Sequence, residues 1–161
     1  MKLVKESLNE FGKGNKPLET MGLGYKGSVV KFFERLGYVN NKDKYGNQFY
    51  TIEDDNTIIV NGDLNIYMGL QLFKIKIPID TEFELSDNLV IKGDLVLTTV
   101  PIKKLPKKLD LTGVLYLNYT NITELPNDLE CYKISIDKQK QPDLYNWIEN
   151  SKFKYKIKKY I

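Results

Sequence analysis

Residues 93–112 read GDLVLTTVPIKKLPKKLDLT, and residues 113–132 read GVLYLNYTNITELPNDLECY. A shift of 20 residues aligns the glycines, the leucines and the prolines of the two stretches. The aligned pairs are Gly93 with Gly113, Leu95 with Leu115, Leu97 with Leu117, Ile102 with Ile122, Leu105 with Leu125, Pro106 with Pro126, and Leu109 with Leu129. Such matches are expected when each unit places the same side chains in a shared core. The chain therefore contains an internal repeat.

Two less regular copies flank these units. Gly62-Asp-Leu-Asn-Ile66 matches Gly93-Asp-Leu-Val-Leu97 by residue type, and Ile77-Pro78 takes the part of Leu105-Pro106. Insertions place this copy 31 residues before the next one rather than 20. A last copy is visible from residue 130 to residue 136, where apolar alternation resumes. The repeat region thus spans about residues 62–136, with three to four copies.

The second unit resembles a known family. Leu115-x-Leu117-x-x-Thr120-x-Ile122-x-x-Leu125-Pro126 looks like the short bacterial leucine-rich repeat, L-x-L-x-x-N-x-L-x-x-L-P. The resemblance implies an α+β fold built on a short leucine-rich-repeat-like β-solenoid of about three to four turns, with one short parallel strand per repeat. The sequence departs from the family at its asparagine position, which holds Thr120 here and Val100 in the preceding unit.

The flanking segments predict caps for the exposed ends of this solenoid. Val29–Leu36 reads as a buried-face helix between an N-cap serine and a C-terminal glycine, and 48–60 reads as a hairpin. Pro142 predicts the first turn of a C-terminal helix, and the alternation in 152–158 predicts a strand. We divide the chain into an N-terminal helix and linker (1–24), a helix and hairpin cap (25–61), the repeat region (62–136) and a C-terminal helix and strand (137–161).

The composition argues against familiar catalytic and metal sites. The chain of 161 residues has no histidine, one cysteine and a net charge of +3. A chain without histidine lacks the usual general base and the commonest metal ligand, and Cys131 has no second cysteine to pair with. We therefore predict no catalytic residues, no metal and no cofactor. No apolar run is long enough for a signal or a membrane span, so we expect a cytosolic or virion protein without a membrane partner.

Two motifs have simple structural explanations. Gly22-Leu-Gly-Tyr-Lys-Gly27 has the G-x-G-x-x-G spacing of a phosphate-binding turn, but Pro17–Met21 before it does not read as a strand. A flexible linker is the favoured interpretation. The acidic run Glu53-Asp-Asp55 lacks the spacing of a calcium loop and is best read as a solvated hairpin turn.

Period-two alternation in the repeats predicts which side chains face outward. If Leu95, Leu97, Leu115 and Leu117 are buried, the residues between and after them form two outward columns. The predicted protein-binding residues are Asn65, Val96 and Tyr116 in one column and Tyr67, Thr98 and Asn118 in the other. A merely solvated sheet face is an equally good interpretation of the pattern.

The N-terminus predicts a second docking element. Leu3, Val4, Leu8 and Phe11 have helical spacing within residues 2–11. Together with the Gly/Lys linker and Met21-Gly-Leu-Gly24, this opening resembles those of many small proteins in tailed-phage genomes, which implies a phage-encoded protein. The alternative is an amphipathic helix that packs back onto its own domain.

Three functions follow from these features, in decreasing order of preference. The first is a non-enzymatic protein-interaction module, which binds an unidentified host or virion protein through the strand face, the N-terminal peptide or both. The second is a virion structural or assembly component. The third is nucleic-acid binding by the tail, in which lysines alternate with aromatic residues. The tail lysines are Lys152, Lys154, Lys156, Lys158 and Lys159.

Overall fold

The computed structural model describes residues 48–55, 57–68 and 85–158. Residues 157 and 158 are described by their backbone alone. These residues include nine short strands, an α-helix of eight residues, a helical turn at residues 66–68 and a 3₁₀ turn at Lys154–Lys156. The strands are β1 (Tyr50–Ile52), β2 (Ile58–Val60), β3 (Leu64–Asn65), β4 (Leu89–Ile91), β5 (Leu95–Val96), β6 (Leu109–Leu111), β7 (Val114–Tyr116), β8 (Lys133–Ser135) and β9 (Ile157–Lys158), and the helix α1 is Pro142–Glu149.

The strands divide between two sheets. The first has four strands in the order β1-β2-β4-β6, of which only β1 runs antiparallel to its neighbour. The second has five parallel strands in the order β3-β5-β7-β8-β9. From β2 to β7 consecutive strands alternate between the two sheets, so each repeat contributes one strand to each sheet.

The pairing registers reproduce the spacing of the sequence repeat. Leu89 lies opposite Leu109 in the four-stranded sheet, and Leu95 lies opposite Leu115 in the five-stranded sheet. Both pairs are 20 residues apart in the sequence. The longer spacing of the first copy is absorbed between β3 and β4, because Leu64 pairs in register with Leu95.

Each unit begins with a glycine that lies between a strand of one sheet and a strand of the other, and Asp63 and Asp94 follow Gly62 and Gly93. The Asp94 carboxylate accepts the Val114 N–H at 2.7 Å, and the Asp63 carboxylate accepts the Asp94 N–H at 2.8 Å. A Cβ on Gly113 would collide with the Asp94 carboxylate and lie 2.5 Å from the Gly93 carbonyl oxygen. Only glycine leaves room for this ladder, in which each aspartate satisfies a backbone donor of the next unit.

The core lies between the sheets and is almost wholly aliphatic. Leu95, Leu97, Leu115 and Leu117 are fully buried, as the alternation predicts. The second strand of unit 93–112 follows the same rule, since Leu109 and Leu111 are buried while Asp110 between them is exposed. Burying each such side chain contributes about 1.5–3 kcal/mol, so both halves of each unit stabilise the fold.

The predicted leucine-rich-repeat-like solenoid, with a single sheet and one strand per repeat, is wrong. The residues before Gly93 and Gly113 form strands of their own, β4 and β6, which belong to a second sheet. The described residues form two small sheets, one mixed and one parallel, with few helices, an α+β-like arrangement. The prediction of one strand per repeat left out the strands at Leu89–Ile91 and Leu109–Leu111.

The flanks agree with the sequence in part. The hairpin is confirmed, with β1 antiparallel to β2, and the C-terminal helix is confirmed with Pro142 in its first turn. The predicted strand over 152–158 is wrong except for its last two residues, because Lys154–Lys156 is a 3₁₀ turn and only Ile157–Lys158 pairs with β8. The predicted helix at Val29–Leu36 lies outside the described residues.

Candidate functional site

The outward side of the five-stranded sheet carries the predicted binding residues. Asn65, Val96 and Tyr116 lie side by side on β3, β5 and β7, as one continuous column. Thr98 and Asn118 each follow two residues later in their own units. All are half-buried, between the buried leucines beneath them and solvent. We call these five residues, together with Tyr67, the neutral face, because none of them carries a charge.

Tyr67 departs from the predicted geometry. It lies in a helical turn at residues 66–68 rather than in an extended continuation of β3. The Asn65 side chain begins that turn, because its Oδ1 atom accepts the Met68 N–H at 2.8 Å. The first column is therefore complete across three strands. The second column does not lie on the strands, because Thr98 and Asn118 are in turns that follow β5 and β7.

The side chains of both asparagines of the neutral face are hydrogen-bonded within the protein. Asn65 Oδ1 is engaged by the Met68 N–H, and Asn118 Oδ1 accepts the Ser135 hydroxyl at 3.0 Å. Their Nδ2 groups donate to no acceptor within the described residues. The Met68 N–H can only donate and therefore holds the Asn65 oxygen, whereas the Ser135 hydroxyl can donate to the Asn118 oxygen or accept from the Asn118 Nδ2 group.

The neutral face ends at β8. Ser135 continues the column beside Tyr116, but it is 0% exposed, and its hydroxyl is hydrogen-bonded to the Asn118 side chain. The neutral face therefore reaches across β3, β5 and β7, and Ser135 supports it from below instead of extending it.

A ridge of strained turn residues borders the neutral face. Thr99 and Tyr119 both have φ of 61°, a left-handed conformation that is rare outside glycine and asparagine. Tyr119 is 53% exposed, and its hydroxyl is hydrogen-bonded to Asp137. This hydrogen bond raises the pKa of Tyr119. Desolvation acts to raise the pKa of Asp137, but hydrogen bonds from Lys140 and Tyr119 outweigh it and lower that pKa. Asp137 is thus a carboxylate at neutral pH that anchors the ridge.

The four-stranded sheet presents a different surface. Its outward column runs through Ile59, Val90, Asp110 and Glu130, and it borders a groove of about 340 Å³. The groove is also lined by Asp55, Asp128 and Lys108. Most of these carboxylates already have structural partners.

The partners of the groove carboxylates are close by. Asp128 accepts the Lys108 N–H at 3.0 Å, and Glu130 lies 3.6 Å from the Lys156 ammonium. Asp55 accepts the Thr57 N–H at 2.9 Å, and that hydrogen bond lowers the pKa of its carboxyl. Within the described ranges no group of three or more carboxylates or thiols could hold a metal ion. The groove is a charged, solvated surface.

The lysine-rich tail does not form the predicted alternating strand. Phe153 is buried and stacks on Trp147 at 6.1 Å, while Tyr155 is 92% exposed. The Lys152 ammonium donates to the Asn127 carbonyl, and Lys156 pairs with Glu130. Lys154 is exposed, the side chain of Lys158 is not described, and Lys159 lies outside the described residues.

The remaining sequence predictions concern the N-terminal docking residues, the glycine motif and the single cysteine. Leu3, Val4, Leu8 and Phe11 lie outside the described residues, as does the glycine motif at 22–27. The Cys131 thiol is buried, and desolvation raises its pKa to about 11, so it is protonated at neutral pH. No helix in the described ranges is long and apolar enough to span a bilayer.

Comparisons with known proteins provide no independent guide to this site. The chain matches no protein-family model, no curated protein and no solved structure.

Proposed function

We propose that this chain is a non-enzymatic protein-interaction module that binds a partner protein through the neutral face. The observation that carries the proposal is the contrast between the two sheets. Both sheets are built from the same units, and both expose one column of side chains. The column on the four-stranded sheet includes Asp110 and Glu130, whereas the column Asn65-Val96-Tyr116 has no charge.

Physical chemistry makes such a face suitable for association. A charged side chain must lose its hydration when a partner covers it, and that loss often exceeds the attraction regained. Tyrosine supplies a large contact area with few rotatable bonds, and asparagine and threonine supply adaptable hydrogen bonds. The neutral face combines these residue types on three strands and on the turns that follow them, above a buried core.

The proposal is tested with a double substitution and a matched control. Tyr116→Ala with Asn118→Ala removes the centre of the neutral face, and Tyr132→Ala with Asn121→Ala removes the same residue types at exposed positions outside it. A partner protein captured by the wild type and by the control pair, but lost by the first pair, supports the proposal. Equal capture by all three proteins contradicts it.

Nucleic-acid binding is a second candidate because of one observation. Tyr155 is 92% exposed and lies beside exposed Lys154, which leaves its ring free to stack on a base. The pairing of Lys156 with Glu130 reduces the positive charge available to phosphates. If this candidate is right, Lys154→Glu with Tyr155→Ala weakens binding of single-stranded RNA in a fluorescence-anisotropy titration, and the wild-type affinity falls steeply with salt. Unchanged affinity excludes it.

A further inference from the structure

Asn61 and Gly62 form a dipeptide that can react with itself. In this sequence an asparagine is followed by a glycine only at this position. The backbone nitrogen after an asparagine can attack the side-chain amide carbon and close a five-membered ring, and glycine favours this attack because no Cβ crowds the nitrogen or restricts its backbone. The pair lies between β2 and β3, where the chain crosses from one sheet to the other.

The attacking nitrogen is free of hydrogen bonds to the described part of the chain. The Gly62 N–H donates to no acceptor among those residues, and a Cβ built on Gly62 would meet nothing within 4 Å. The space beside this residue is open, so water and hydroxide reach its N–H. Asn150-Ser151 is a contrasting pair, because the Ser151 N–H donates to the Ile148 carbonyl at 3.0 Å.

The Asn61 side chain is exposed and weakly held. Its Nδ2 group donates to the Gln48 carbonyl at 3.3 Å, which is longer than most such bonds. The Asn61 N–H bonds to the Phe49 carbonyl at 2.6 Å, on the N-terminal side of the residue, whereas ring closure rotates the Cα–C bond on the other side. Breaking the bond to Gln48 therefore slows ring closure by about tenfold at most, the contribution of one exposed neutral hydrogen bond.

We propose that Asn61 is a site of spontaneous modification, where the chain forms a succinimide with Gly62 and then becomes aspartate or isoaspartate. The Gly62 nitrogen loses its proton to solvent, and its lone pair forms a bond to Asn61 Cγ. The Cγ–Nδ2 bond breaks, and Nδ2 takes up a proton and leaves as ammonia. Water then cleaves one of two ring bonds. Cleavage between Cγ and the Gly62 nitrogen gives aspartate, and cleavage of the original peptide bond gives isoaspartate. One water is consumed and one ammonia is released, and nothing is oxidised or reduced.

Isoaspartate disturbs the crossing between the sheets, because it adds one carbon to the main chain between Val60 and Gly62. The Val60 carbonyl accepts the Lys92 N–H at 2.8 Å, and the Leu64 N–H donates to the Asp94 carbonyl at 2.8 Å. The main chain is thus bonded to the next unit on both sides of the added carbon. At least one of these bonds lengthens or breaks, so the isoaspartate form unfolds at a lower temperature.

The test follows purified protein at pH 8 by peptide mass spectrometry, which detects the loss of ammonia and gain of water at each asparagine. We expect Asn61 to convert faster than Asn150, at no less than about one-tenth of its rate in the same protein unfolded in guanidinium chloride. The rate falls at pH 6, because less of the Gly62 nitrogen is deprotonated. Slower native conversion than this, or faster conversion at Asn150, overturns the proposal.

The products distinguish attack by Gly62 from direct hydrolysis of an exposed amide. Attack gives isoaspartate as well as aspartate, and electron-transfer fragmentation tells them apart, whereas aspartate alone overturns the proposal. Asn61→Asp is the matched control for stability, because it carries the new charge without the added carbon. The isoaspartate fraction, separated by ion exchange, should have a lower Tm than Asn61→Asp. An equal Tm would show that the crossing accepts the added carbon and would overturn that part of the proposal.

Discussion

Gln141 offers the sharpest test of how the repeats end. In the regular part of the chain, the Thr99 N–H donates to the Asn118 carbonyl of the next unit at 2.9 Å. Tyr119 occupies the equivalent position one unit later, and its N–H donates to the Gln141 side-chain oxygen at 3.2 Å. Gln141 is only 7% exposed. Its amide therefore substitutes for a peptide group of the following unit.

The loss in free energy of unfolding that Gln141→Leu causes can be worked out from the hydrogen bonds that Gln141 makes. Its oxygen also accepts the Asp137 N–H at 3.3 Å, and its nitrogen donates to the carbonyls of Leu117 and Thr120 at 2.9 and 3.2 Å. The Leu117 carbonyl keeps another donor, the Thr120 hydroxyl at 2.8 Å. Gln141→Leu thus leaves three backbone groups without their partner, at about 1 kcal/mol or more each. We expect a loss of about 3 kcal/mol, or a fall in Tm of roughly 6–12 °C for a chain of this size.

The assay is urea and thermal unfolding followed by circular dichroism. Gln139→Leu is the matched control, because its side chain is exposed and only its backbone N–H is engaged, so we expect a change within about 0.5 kcal/mol. Gln141→Glu keeps the shape but turns a second oxygen toward the Thr120 carbonyl, and it should destabilise at least as much as leucine. A Gln141→Leu protein within about 0.5 kcal/mol of the wild type would refute the reasoning.

Three further predictions concern the ladder, the ridge and the thiol. Gly113→Ala forces a Cβ against the Asp94 carboxylate and the backbone, and it should lower the free energy of unfolding by about 2–4 kcal/mol. Urea midpoints measure this change, and a loss below about 0.5 kcal/mol would show that the backbone around Gly113 moves to accept the Cβ at little cost. Thr99→Asn relieves a left-handed residue and should raise the free energy of unfolding by about 0.5–1 kcal/mol, whereas a lower Tm would mean that the threonine side chain contributes more than its strain costs. Cys131, with its pKa raised to about 11 by burial, should react with a thiol reagent at pH 8 only after unfolding in urea, and rapid labelling of the native protein would contradict its burial.

The buried leucines could be predicted from the sequence because burial imposes a direct periodicity. An alternating strand over a core must place an apolar side chain at every second position, which is the pattern around Leu95 and Leu115. The second sheet was missed although the same signal is present in Leu89-Val-Ile91 and Leu109-Asp-Leu111. A glycine at position 93 or 113 divides one apolar stretch into two strands of different sheets, and the hydrogen bond from Val114 to Asp94 at this point joins two units rather than near neighbours in the sequence.

The tail shows why alternation alone misleads. Residues 152–158 alternate as a strand would, but the Phe153 N–H donates to the Ser151 hydroxyl at 3.1 Å and the Lys156 N–H donates to the Phe153 carbonyl at 2.8 Å. These local bonds turn the chain once Phe153 has packed on Trp147. A single well-buried aromatic side chain thus outweighs the strand preference of its neighbours.

The hydrogen bonds of Gln141 and of the two asparagines could not be predicted from the sequence, for a related reason. A side-chain amide has no periodic signal, and Ser135 lies 17 residues from Asn118 and Leu117 lies 24 residues from Gln141. Only the folded backbone decides whether such an amide satisfies the protein or remains available to another molecule. Both polar atoms of the Gln141 amide bond to the backbone, whereas the Asn65 amide bonds to it through its oxygen. The same chemical group therefore stabilises the end of the repeats at Gln141 and begins the helical turn after β3 at Asn65.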